Sequence, residues 1–195
     1  MARSRKIEPQ AAMDAAMAMF WKHGFCNLGT RQLEAETGIT RFTLQTTYGG
    51  KMALYLNTLD AYLDQLETSG LLQGIDDDLH GIAVFFERRA NASVLPESSK
   101  YGCLVLNAVI EFASINDDIN QRITRYLTIL RSGFRVGLAN SLGDQSAAER
   151  QNIDQKTEVL LAAALGLNVI IRAATDTNAG QAMACSIAQM VRDWG

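Results

Sequence analysis

Between Phe25 and Leu54 the chain reads FCNLGTRQLEAETGITRFTLQTTYGGKMAL, and Arg41, Phe42, Gln45 and Thr46 share one side of a short helical stretch, Arg41–Thr47. These residue types suit the edges of base pairs. Arginine can hydrogen-bond bidentately to guanine, glutamine to adenine, and threonine can touch a thymine methyl or a phosphate, so the set fits a DNA major groove. Leu33, Ala35, Ile39, Leu44 and Tyr48 fall on the other side and are expected to face a small core, with Ala35 small enough to let two helices approach. The same spacing would also serve a plain surface helix pair in any helical bundle.

No catalytic constellation competes with this reading. The chain has two histidines, His23 and His80, without metal-ligand spacing, a nucleophile elbow or a phosphate loop, so neither an enzyme, a metal site nor a cofactor is expected. Asp76, Asp77 and Asp78 are consecutive carboxylates that point different ways on a helix and are expected to favour a helix N-terminus instead. Cys26, Cys103 and Cys185 are odd in number and widely spaced, which suggests neither a disulfide framework nor zinc and fits a reducing cytoplasm.

The net charge of −3 alone argues weakly against a polyanionic partner, but it is unevenly spread. Residues 1–55 hold seven Lys/Arg against four Asp/Glu, a net +3, whereas residues 56–195 hold eleven against seventeen, a net −6. A basic head on an acidic body points to a DNA contact confined to the N-terminal quarter. The basic start runs into an amphipathic segment and no long apolar run is free of charge, so a cytoplasmic protein without membrane contact is expected.

The elements that must position these residues read as helices joined by short turns, with only Pro9 and Pro96 to interrupt them. The first spans 8–23 and stops at Gly24. A second, Thr30–Thr37, has an N-cap candidate in Thr30 and ends at Gly38, which can take the left-handed conformation of a sharp turn. Thr40 can cap the third, Arg41–Thr47, and a long fourth helix opens at Lys51 and runs to about residue 70. Further helices are expected at 78–92, 102–115, 117–141, 147–174 and 178–194. The last two are apolar nearly all round and need cover, most economically from a second copy across a two-fold axis.

Several residues, in order and at fixed spacing, resemble the N-terminal domain of the TetR family of regulators: Ala16 to Phe20, Gly24-Phe25, Leu33, Gly38-Ile39-Thr40, Thr43-Leu44, Tyr48-Gly49 and Lys51 to Leu54. The resemblance implies an all-α protein of about nine helices. Residues 1–54 would form a three-helix helix-turn-helix domain, and residues 55–195 a helical domain that binds an effector and dimerises. It further implies that Thr40 caps the recognition helix, that Thr43, Tyr48 and Lys51 meet phosphates, and that Arg41, Phe42, Gln45 and Thr46 lie in or beside the groove; Arg31 joins the DNA-binding set. Phosphate contacts supply affinity and register, base contacts the sequence choice. Phe42, Gln45, Thr47 and Leu28 depart from the family's usual residues, so no relative's operator transfers. Two roles stand open for Phe42, contact with thymine methyls or packing against the first helix. Arg3, Arg5 and Lys6 read either as an arm entering the minor groove or as a solvated terminus.

Within the body, Tyr101 to Ala108 resembles the glycine-cysteine helix of one TetR subgroup, and Leu161 to Ala174 resembles its dimerising helix. A pocket there would be lined by Phe85, Phe86, Arg89, Tyr101, Cys103, Asn107, Phe134 and Asn168, each of which also reads as a core or capping residue. Cys103 reads either as a thiol sensor or as a small buried hydrophobe. The expected partners are double-stranded DNA, a small and largely apolar or electrophilic effector, and a second copy held through the last two helices. The expected function is a repressor released from a palindromic operator by its effector, with the fourth helix as the transmitting rod. The alternative is an architectural or cell-division DNA-binding protein without an inducer.

Overall fold

Pro9 fixes the first turn of α1 (Pro9–His23), and the Gly24 N–H closes it by donating to the Phe20 carbonyl at 2.8 Å. A computed structural model supplies the fold, describing residues 8–68, 72–91, 97–112, 115–174, 178 and 180–195. Arg3, Arg5 and Lys6 lie outside the described residues, and so does Pro96. After α1 come α2 (Thr30–Thr37), α3 (Arg41–Thr46) and α4 (Lys51–Thr68). The body continues with α5 (Leu79–Ala90), a short 3-10 turn (Glu97–Tyr101), α6 (Leu104–Phe112), α7 (Asp117–Leu142), α8 (Ala147–Ala173) and α9 (Gln181–Arg192). The architecture among the described residues is thus all-α, with nine α-helices.

Capping explains most of the boundaries. The Asp78 carboxylate accepts the Gly81 N–H at 2.8 Å and starts α5, as the acidic run predicts, and Asn116 Oδ1 accepts the Ile119 N–H at 3.0 Å to start α7. Ser146 and Glu149 form a reciprocal capping box at the head of α8. Several expected boundaries move by one to three residues, two of them for a visible reason. Thr30 is the first helical residue of α2 and Gly29 occupies the cap position, without a side-chain hydrogen bond. The helix expected at 102–115 starts only at Leu104, because Gly102 turns the chain with φ +78. There a Cβ would lie 2.9 Å from the Asn168 carbonyl, so only glycine lets the start of α6 pass this close to α8.

One continuous core runs from Ala12 to Val191 and includes Phe20, Leu33, Tyr55, Phe86, Phe134 and Leu160. The helix α4 threads it from the N-terminal end into the body, bearing Leu54, Tyr55, Leu59 and Leu63 inward. Surface ion pairs stitch it to α7, through Arg122 with Asp60 at 2.6 Å and through Arg125 with Asp64 and Glu67. Within the chain α9 lies chiefly along α5, burying Ala184, Ile187, Ala188 and Val191, and α8 lies chiefly along α7. On α8, Val159, Val169 and Ile170 remain 42–49% exposed. No described helix is long and apolar enough to cross a membrane.

Candidate nucleic-acid interface

Two short helices and a tight turn build the site. Gly38 adopts φ 68 at the end of α2, the left-handed geometry that L side chains resist, and its N–H returns to the Glu34 carbonyl at 2.9 Å. Beside it, the buried Thr37 hydroxyl donates to the Leu33 carbonyl at 2.7 Å and accepts the Ile39 N–H at 3.1 Å, which fixes the exit of α2. The Thr40 hydroxyl then accepts the Thr43 N–H at 3.1 Å as the N-cap of α3, and the two hydroxyls pair at 3.0 Å. Leu33, Ile39 and Leu44 are buried beneath, anchoring the pair to α1 and α4. Ala35 corrects the sequence reading: it is exposed, and Thr37 takes the inward position on α2.

Arg41, Phe42, Gln45 and Thr46 all face outward on α3, and Arg31 is exposed on α2. At 76% exposure Phe42 does not pack against α1, which removes one of its two open roles. It is the one apolar side chain on the outward face of α3. The hydroxyl of the exposed Thr46 donates to the Phe42 carbonyl at 2.9 Å, while Thr43 and Tyr48 are half-buried. Lys51 is turned partly inward: its ammonium donates to the Phe25 carbonyl at 2.5 Å and sits 4.1 Å from the Phe25 ring centroid. Burial lowers its proton affinity below the ordinary lysine range.

Long-range contacts absent from any local motif hold this head to the body. The Glu111 carboxylate, at the end of α6, accepts the Phe25 N–H at 3.1 Å and the Cys26 N–H at 2.8 Å. The Trp21 indole donates to the Gly102 carbonyl at 3.1 Å, and the Arg172 guanidinium of α8 donates to the Trp21 and Tyr101 carbonyls at 3.2 and 2.9 Å. Phe25 packs edge-on to Phe112 at 5.2 Å. These pairs lie between 71 and 151 residues apart in the chain, so no local spacing signals them.

The expected effector residues come together in the body's core. Phe85, Phe86 and Phe134 form a ring cluster with centroids 5.1–5.8 Å apart. Arg89 meets Asn168, Asn107 donates to the Tyr101 carbonyl at 3.1 Å, and Cys103 Sγ accepts the Tyr62 hydroxyl at 3.4 Å. All but Tyr101 are buried. Burial pushes the Tyr62 and Tyr126 hydroxyls, both beside Cys103, well above the usual phenol range. Among the described residues no cluster of His, Cys, Asp and Glu could hold a metal.

This arrangement is the fold of the TetR-family transcriptional regulators. The regulator CifR, in a cysteine-substituted form complexed with 26-bp double-strand operator DNA, aligns over the full length of both chains with a TM-score of 0.76 at 19% identity. A TetR-family regulator from Cytophaga hutchinsonii gives a TM-score of 0.72 at 15% identity, over 97% of this chain and 98% of its own. In sequence, the chain is 24% identical over 156 residues to the uncharacterized HTH-type transcriptional regulator YezE of Bacillus subtilis, 79% of each chain. The HTH-type transcriptional repressor ComR of Escherichia coli is 26% identical over 120 residues, which span 57% of its length and 60% of this chain. No protein-family model matches the chain.

Proposed function

We propose that this protein is a dimeric transcriptional repressor that inserts α3 into the major groove of a palindromic operator and is released by a small effector held in the helical body. The observation that carries the reading is the outward face of α3, where Arg41, Phe42, Gln45 and Thr46 project from a helix capped by Thr40 and backed by buried Leu44. Residues 1–54 act as the DNA-binding part. Arg41, Phe42, Gln45 and Thr46 choose the sequence; Thr40, Thr43, Tyr48, Lys51 and Arg31 hold the backbone, Lys51 with the protons its Phe25 contact leaves over. The exposed stripe of Val159, Val169 and Ile170 on α8 supplies the apolar surface for a two-fold pairing, completed by α9. Paired heads about one DNA turn apart, ~34 Å, would enter successive major grooves.

Release follows from any change in that spacing. The Glu111 clamp and the Arg172 bridge tie the head directly to α6 and α8, so a shift of either helix is felt at the α1–α2 turn as well as through α4. The protein and its α3 variants, titrated onto a selected duplex over a range of salt, test the assignment. Gln45→Ala relaxes preference at one base pair, whereas Thr43→Ala weakens all sequences alike. Equal loss on every sequence for both variants would remove α3 as the reading element.

A further inference from the structure

Phe42 stands in the first turn of α3, 76% exposed, and its outward neighbours Arg41, Gln45 and Thr46 are all polar. The helix holds the ring there. The Thr40 hydroxyl accepts the Thr43 N–H at 3.1 Å and fixes the start of α3, while Ile39 and Leu44 are buried beneath it at 4% and 5% exposure. Rolling α3 to cover Phe42 would therefore bring Leu44 into water.

The first turn of a recognition helix is the part that meets base edges. In the major groove those edges offer acceptors at N7, O6 and O4 and donors at N4 and N6, none of which a phenyl ring can satisfy. The apolar group among them is the methyl at C5 of thymine. Cytosine carries hydrogen at that position, and 5-methylcytosine restores a methyl at the same place on the groove wall. A ring seated there gains from a methyl it can bury and loses where it strips water from a polar edge without replacing the hydrogen bond. Arginine and glutamine read donors and acceptors, whereas Phe42 discriminates by one carbon atom.

We infer that Phe42 is a reader of the pyrimidine C5 methyl group, accepting thymine or 5-methylcytosine and disfavouring unmethylated cytosine at one base pair of each half-site. The inference rests on the insertion of α3 into the major groove and extends it: occupancy of a site depends on cytosine methylation as well as on base sequence wherever a cytosine faces Phe42. Burial of one methyl changes affinity about four-fold, and two half-sites bound by one dimer change it about sixteen-fold.

The test uses the full-length protein on a duplex that it selects from a random pool. Each thymine is replaced in turn by uracil, symmetrically in both half-sites, which removes the methyl and leaves every donor and acceptor in place. The base pair that responds is then changed to C·G, with the cytosine either bare or methylated at C5. Uracil at that position is expected to weaken binding about sixteen-fold, and 5-methylcytosine to bind about sixteen-fold more tightly than cytosine. Both differences should vanish in Phe42→Ala and persist in Thr46→Ser, which removes the neighbouring threonine methyl. The proposal is overturned if uracil is tolerated at every position, if cytosine and 5-methylcytosine bind alike, or if Phe42→Ala keeps the preferences. A protein that enriches no duplex refutes the groove reading and this inference together; one that enriches a palindrome without dependence on C5 methyls refutes this inference alone.

Discussion

Replacing Glu111 with alanine should loosen the α1–α2 turn without melting the body. The carboxylate accepts two backbone N–H groups, and a hydrogen bond to a charged group contributes about 1.5–3 kcal/mol. The Phe25 amide is half-buried and loses most of that value, whereas the exposed Cys26 amide turns to water and loses little. The loss is therefore about 2 kcal/mol, or roughly 30-fold in the opening equilibrium of the turn. Glu111→Gln keeps a neutral acceptor and should lose about half as much. Amide hydrogen exchange reads this directly: protection at Phe25 falls about 30-fold in Glu111→Ala, while amides of α5 and α9 keep theirs. Unchanged protection at Phe25, or an equal fall throughout the protein, would refute the clamp. If the clamp also couples head to body, the same variant should respond less to an effector when bound to DNA.

Other consequences are equally accessible. Thr40→Ala removes the cap of α3 and should cost about 1 kcal/mol by chemical denaturation, together with affinity for every duplex. Phe42→Ala should change stability by less than about 0.5 kcal/mol, given its exposure, yet reduce DNA affinity; a large loss of stability would mean the ring packs internally. Tyr55, Tyr62 and Tyr126 have folded proton affinities above the unfolded value near 10, so their stabilisation is complete below that pH and is lost as pH rises through it. Phenolate absorbance from these three should appear only with alkaline unfolding, and early reversible ionisation in the folded state would contradict their burial. Val169→Lys with Ile170→Lys should convert a dimer to monomers in sedimentation, and an unchanged mass would move the interface off α8.

Local signals were the legible ones. Gly38, Thr40, Asp78 and Asn116 declare helix ends through conformations and hydrogen bonds that depend only on near neighbours, so the order and approximate extent of the helices could be read from the chain. Ala35 and Thr37 show the limit: on an eight-residue helix both small residues fit an inward position, and only the Thr37 hydroxyl's bonds to Leu33 and Ile39 select it. Gly102 delays the start of α6, which apolar patterning alone would have placed two residues earlier, because its conformation answers to α8 rather than to its neighbours. Lys51 read as a phosphate ligand, but Phe25 claims part of it through a turn 26 residues away. The Glu111 clamp and the Arg89–Asn168 pair join residues 79 or more apart, and no spacing in the chain foretells which distant partner a buried Arg or a half-buried Glu will meet.

The central claim is that α3 reads DNA from a two-fold symmetric dimer, and selection of bound duplexes from a random pool by the wild-type protein tests it most directly. The account predicts enrichment of a palindrome whose half-sites are centred about 10 base pairs apart or a multiple of that, with Arg41→Ala and Gln45→Ala each relaxing one position in both halves. Failure to enrich any palindrome, or enrichment unaffected by the α3 substitutions, would contradict it.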